Sequence, residues 1–196
     1  MQPRARRYHE FRQLALATLL VLPLLGFTFT LETSSVTYSA RDAQRSWQGT
    51  APLQSVTLTP IEGRLEVTAV LEPGAFNSGN FVRDGNARFT VFEIGDYPTV
   101  TLSGTLSLDP ELVDPESTEP EPRSRTVPFT GQLTLHGVTR EVTFPVTVVR
   151  DGAQVGAEGN FTVQLSAYEM TRPSLFGVVV DDKVDLNASL TGVLTP

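Results

Sequence analysis

The sequence predicts an all-β domain. Three observations carry this. Apolar residues recur at every second position in segment after segment, turn residues separate those segments, and no long helical periodicity appears beyond residue 31. Alternation with period two puts one face of a strand in a dry interior and the other in water, as antiparallel sheets do. About eight such segments mean a sandwich or a barrel.

The chain opens differently. "MQPRARRYHEFRQ" carries Arg4, Arg6, Arg7 and Arg12, and Leu14 to Leu31 is apolar and uncharged. A basic stretch before an apolar one reads as an export signal, with residues 1–31 either cleaved or kept as a membrane anchor. Arginines ahead of the segment hold the N-terminus in the cytoplasm in both cases. The domain itself, residues 35–196, is therefore expected to be exported to the periplasm or cell envelope.

The strands follow in order. "VTYSA" and "SVTLT" come first, then "RLEVTAVL" with Leu65, Val67, Ala69 and Leu71 on one face. Alternation then lapses through "SGNFVRDGNARFTVFEIGDYPTV", Ser78 to Val100, where a short helix from Asp84 to Ile94 is expected, with Asp84 as its N-cap. "VTLSGTLSL" resumes it with Val100, Leu102, Gly104, Leu106 and Leu108 facing one way. Residues 109–126 mix acidic residues with Pro110, Pro115, Pro120 and Pro122 and read as a solvated loop, or as a lure for a basic partner. "GQLTLHG" and "VTFPVTV" form the next pair, the latter with Val142, Phe144, Val146 and Val148 on one face. Asp151-Gly152 marks a hairpin before "GNFTVQLSA", and "VDLNASL" closes the series with Val184, Leu186, Ala188 and Leu190 inward.

Composition narrows the function. Hydrophobic residues make up 40% of 196, enough for one sizeable core, and the formal charge is −7. An acidic balance argues against nucleic acid as a partner. With no cysteine there is no disulfide framework, thiolate metal site or cysteine nucleophile. The two histidines are His9, inside the leader, and His136 in "TLHGV", too few for an imidazole metal site. His136 reads as a turn histidine bonding backbone, with Gly137 at a positive φ; a catalytic base is the other reading. No metal, cofactor or catalytic group is expected.

Three stretches together resemble the YceI family of exported, lipocalin-like proteins. They are the "RD…AR…F…YP" pattern within Ser78–Val100, the hairpin "FTGQLTLHGVTREVTFPVTV" from Phe129 to Val148, and "GNFTVQLSAYEM" leading into "VVVDDKVDLNASL". The chain departs from the family's pattern in "SWQGTAPLQSVT" and in the length of the acidic loop. The resemblance implies an eight-stranded antiparallel barrel, with the short helical segment near one mouth. It also implies a lumen that holds a long-chain polyisoprenoid lipid, a polyprenyl phosphate or an isoprenoid quinone, for storage or carriage. An eight-stranded barrel can enclose one such ligand.

On that reading Arg83 and Arg88 hold an anionic head group at the mouth, because a guanidinium matches phosphate oxygens in a fork. Phe81, Phe89, Phe92 and Tyr97 line the entrance, with Phe161, Tyr168 and Phe176 as further ligand-binding candidates. The plainer reading pairs both arginines with Asp84 and Glu93 on the surface and leaves the aromatics as core. Trp47, the sole tryptophan, either stacks on the ligand or seals the core. The rival functions are a ligand-free interaction module and a lipocalin-like enzyme. Membrane association through the N-terminal segment and a homodimer stay open as partner arrangements.

Overall fold

The structure, a computed structural model, describes residues 28–61, 64–107, 122–175 and 178–195. Residues 1–27, most of the acidic loop, and Phe176 lie outside the described residues. The main sheet is antiparallel throughout and has nine strands rather than eight. In chain order these are β1 (Thr28–Arg41), β2 (Ser46–Ala51), β3 (Ser55–Ile61), β4 (Arg64–Leu71), β5 (Val100–Leu106), β6 (Arg123–Leu135), β7 (Val138–Asp151), β8 (Gln154–Gln164) and β11 (Lys183–Thr195). A separate hairpin pairs β9 (Ser174–Leu175) with β10 (Val178–Val179).

Across the sheet the order is β2-β1-β11-β8-β7-β6-β5-β4-β3. The two end strands are consecutive in the chain, joined only by Pro52, Leu53 and Gln54. Curling brings the edges together there. The Leu53 amide donates to Ser34 Oγ of β1 at 2.9 Å, and the Gln54 amide donates to the Val70 carbonyl of β4 at 2.8 Å. The extra strand is thus one barrel position broken in two at Pro52, which has no N–H to donate to a ladder. β2 escaped the period-two pattern because its inward residues are Trp47, Gly49 and Ala51. Gly49 must be small: the Tyr38 ring lies across it, its Cζ 2.7 Å from where a Cβ would stand.

Inward and outward faces follow the alternation. Leu65 and Leu71 of β4, Phe144, Val146 and Val148 of β7 and Val184 of β11 are buried, while their neighbours Arg64, Glu66, Thr143, Pro145 and Asp185 are exposed. β1 needs one correction to stay in phase. The register slips between Leu31 and Thr33, leaving Glu32 as a bulge, so that Phe29 before it and Tyr38 after it both point inward. This strand starts at Thr28, so residues 28–31 are part of the sheet. Likewise β6 starts at Arg123, so residues 123–126 of the expected acidic loop are strand, paired with Arg150 to Thr147.

The interior divides into two clusters. One gathers Leu65, Leu106, Phe129, Phe144, Val146, Val148, Val155 and Leu194 at the end where β5 finishes and β6 starts. The rings there lie across glycines: a Cβ at Gly104 or Gly131 would come within 2.6 or 2.9 Å of the Phe129 ring tip, and one at Gly159 within 2.9 Å of the Phe144 ring. Phe129 and Phe144 pack at 5.0 Å, and Phe144 and Phe161 stack at 4.4 Å. The other cluster surrounds Tyr38, Phe76, Leu133 and Val163 at the opposite end, under the β4–β5 connection.

Val146→Asp places an unpaired charge in the first cluster, at a cost of several kcal/mol, whereas Thr143→Asp on the same strand faces water. Thermal melts should show the first variant unfolded or strongly destabilised and the second within about 0.5 kcal/mol of the parent. Equal behaviour of the two would mean that the faces of β7 are assigned wrongly.

Candidate functional site

The second cluster is hollow. A cavity of about 180 Å³ opens there, walled by Tyr38, Ala69, Leu102, Leu133, Val163 and Leu186 among other apolar side chains. Its roof is the β4–β5 connection. Pro73–Ala75 forms a 3-10 turn, helix α1 (Phe81–Asn86) follows, and a π-type turn (Ala87–Val91) continues it. The helix starts earlier than expected. Its N-cap is Asn80, whose Oδ1 accepts from the Arg83 amide at 3.0 Å. Asp84 lies inside the helix and reaches back instead, accepting from the Ser78 amide at 3.0 Å and from the Ser78 hydroxyl.

This arrangement fixes Arg83. Its Nε donates to Ser78 Oγ at 2.8 Å and its Nη2 to the Ser78 carbonyl at 3.2 Å. The guanidinium carbon stands 5.4 Å over the Trp47 ring, a cation–π contact. Asp84 thus holds the serine that holds the arginine, and Trp47 carries the guanidinium from below. Among the described residues lining the cavity, Arg83 is the only charged one. Neither expected surface pair forms among the described residues: Arg83 bonds Ser78, and Glu93 meets His136. The nearby Tyr38 phenol is raised above its ordinary value, chiefly by burial and further by the Asp84 carboxylate; Arg83 and Ser78 act against this. It stays a neutral hydroxyl.

The other predicted residues divide. Phe92 lines the cavity and stacks on Phe76 at 5.8 Å. Phe81 is 89% and Phe89 74% exposed, so neither lines the entrance; with Val82 they face solvent from the outer side of the roof. Arg88 is half-buried and does not line the cavity, and its Nε has no hydrogen-bond partner among the described residues. Phe161 does not line the cavity; it sits beside Leu186 in the ladder and packs against both clusters. Phe176 is outside the described residues.

Tyr97 and Tyr168 serve the roof rather than the lumen. The β6–β7 hairpin turns on His136 and Gly137, with φ of 52° and 73°. His136 Nδ1 lies 3.2 Å from the Tyr168 carbonyl, its Nε2 3.4 Å from Glu93 Oε2, and its ring 4.2 Å from the Tyr97 ring. One histidine therefore ties the hairpin to the helical connection and to the turn Leu165–Tyr168. Half-buried Trp47, for which the sequence left ligand stacking and core both open, lines the cavity, as do buried Tyr38 and Phe76, which sequence reading had not placed there. Tyr38 was legible in the alternation of "VTYSA", and Phe76 stands in a loop with no period to follow.

A curled antiparallel sheet with an apolar cavity, and with Arg83 as the one charged residue among the cavity's described lining residues, defines a lipocalin-like fold. Residues 27–192 match the family of YceI-like domains, and the chain belongs to it. Two solved structures share the fold. BcnA of Burkholderia cenocepacia aligns with a TM-score of 0.63 at 19% identity, over 81% of this chain and 95% of that one. A polyisoprenoid binding domain from Saccharophagus degradans, implicated in plant cell wall breakdown, aligns at 0.65 and 16% identity, over 85% and 97%. Among curated proteins no sequence matches this one.

Gly137→Ala tests the roof clamp. A Cβ there would meet Tyr97 Cε1 at 2.6 Å, at a φ that L side chains resist. The variant should lose at least about 1 kcal/mol in denaturant unfolding. Gly152, in the opposite β7–β8 turn, has φ 61° with nothing within 4 Å of its Cβ position, so Gly152→Ala carries only the backbone penalty. A smaller loss at Gly137 than at Gly152 would contradict the clamp.

Proposed function

We propose that this protein binds a polyisoprenoid lipid, its tail in the cavity and its head group at Arg83, and stores or carries that lipid in the cell envelope. The observation that carries this is an apolar cavity with Arg83 as the single charged side chain among its described lining residues. Membership of the YceI-like family supports it, as does the fold shared with a domain described as polyisoprenoid-binding. A wall of Val, Leu and Ala selects apolar chains without directional contacts, and each buried CH₂ contributes about 0.8 kcal/mol. The reading is one of binding rather than catalysis, and it rests on the YceI-like family and on the fold shared with a domain described as polyisoprenoid-binding. Export rests on the arginine-rich start and the apolar segment behind it.

Arg83 is held for an anion. Two of its nitrogens are committed to Ser78, which fixes the plane of the fork and leaves Nη1 without a bond among the described residues. A phosphate at the mouth gains a charge-assisted hydrogen bond from a group that is already ordered. Arg83→Ala should weaken farnesyl phosphate by about 1.5–3 kcal/mol while leaving farnesol within about 0.5 kcal/mol, and Arg88→Ala should change neither. Fluorescence competition at moderate salt separates the cases, since exposed charge contacts are screened. Equal losses for both ligands would reduce Arg83 to a structural role.

The outer side of the roof fits the same function. Phe81, Val82 and Phe89 form an exposed apolar face beside the mouth, and in the proposed function this face meets the bilayer from which the lipid is drawn. Phe81→Ser with Phe89→Ser should slow transfer of a fluorescent prenyl phosphate from neutral vesicles severalfold and leave its affinity in solution unchanged. An unchanged transfer rate would remove the membrane from this face.

A further inference from the structure

We infer that Asp84 is a specificity-determining residue: its buried carboxylate, joined to Arg83 through Ser78, suits the site to a monophosphate head group and turns away a diphosphate. This rests on the proposed function and adds a limit of head-group charge to it. Arg83 is not an isolated cation. Its Nε donates to Ser78 Oγ at 2.8 Å, and that hydroxyl donates in turn to Asp84 Oδ1. The same carboxylate oxygen accepts from the Ser78 amide at 3.0 Å. Asp84 lies inside α1 and is only 9% exposed, so water and salt screen its charge little. Two hydrogen bonds away from the cation stands a buried anion.

The effect of that anion reaches the cavity wall. Tyr38 lines the cavity together with Arg83. Its hydroxyl lies 2.8 Å from where a Cβ at Gly49 would stand, on the strand that carries Trp47. Burial raises this phenol most, the Asp84 carboxylate raises it further, and Arg83 offsets only part of the rise. One phosphate at Arg83 gains the hydrogen bond that Nη1 has to give. A second phosphate finds no second cation. Arg83 is the only charged residue among the described residues lining the cavity, and Arg88 does not line it. What the added charge gains from Arg83 it largely loses to Asp84, and a chain of formal charge −7 gives it no other help.

The experiment compares farnesyl diphosphate with farnesyl phosphate by fluorescence competition at one moderate salt concentration, on the full chain and on two variants. In the parent the diphosphate should bind no tighter than the monophosphate. Asp84→Asn removes the charge but keeps an oxygen that accepts from Ser78, and it should raise the ratio of diphosphate to monophosphate affinity about fivefold to tenfold. Ser78→Ala breaks the bridge but leaves the carboxylate, so both ligands should weaken while their ratio stays within about twofold of the parent's. Each readout is a ratio of two ligands on one protein, so partial unfolding cancels. A parent that prefers the diphosphate by about tenfold or more overturns the charge limit and leaves the binding function standing. So does an Asp84→Asn ratio equal to the parent's. A Ser78→Ala ratio that rises as far as that of Asp84→Asn also overturns it, since the framework and not the charge would then set the preference. Failure of both ligands to bind the parent overturns the function and the charge limit together.

Discussion

The packing of phenylalanine rings against glycines is the interaction on which the rest depends. A curled sheet of this size has an interior that side chains can just fill, or that can hold one small ligand. Here the lower half is filled by Phe129 and Phe144 lying flat, which Gly104, Gly131 and Gly159 permit. A Cβ at Gly159 would press on the Phe144 ring, and one at Gly104 or Gly131 would press on the facing strand's backbone as well as on Phe129. The upper half has smaller wall residues and stays hollow. A filled half gives the barrel the dry core that stabilises it, and so the empty half need not contribute as much. The packed core and the cavity thereby lie at different ends of one sheet.

The mouth is built by a second device, a chain of local hydrogen bonds. Asp84 fixes Ser78, Ser78 fixes Arg83, and Trp47 supports the guanidinium from a different strand. Each member is near in sequence except Trp47, so most of the arrangement assembles with the helix itself. His136 then locks this roof to the β6–β7 hairpin through Glu93, Tyr97 and Tyr168. The cation is held ready by neutral and carboxylate partners that are not themselves ligands, which lowers the ordering cost of binding.

Much of this was legible in the sequence, and the reasons are specific. The inward faces of β4, β5, β7 and β11 are simple alternations, so Leu65, Phe144 and Val184 could be placed without a structure. β2 was not legible, because its inward face is Trp-Gly-Ala and its small residues answer to Tyr38, a demand visible only in three dimensions. In the stretch Ser78 to Val100 the residue types were read correctly and their directions were not. Asn80 and Asp84 are both competent caps, and the structure uses the earlier one, so the helix starts at Phe81 and gives way to a π-type turn at Ala87. Of Phe81, Phe89 and Phe92 only Phe92 lines the cavity. Arg83 was named and Arg88 was named with it, because sequence proximity cannot tell which of two arginines faces a cavity. Tyr97 and Tyr168 were named as ligand-binding candidates; neither lines the cavity, and both pack against His136.

The central claim is that the hollow end of the barrel carries an isoprenoid lipid. Mass spectrometry of an organic-solvent extract, made from protein purified without detergent, tests it most directly. The account predicts an isoprenoid at near-stoichiometric yield, recovered in much lower yield when Ala69→Phe fills the cavity. Recovery of unbranched acyl chains alone, or of the same lipid in equal yield from the filled variant, would contradict it.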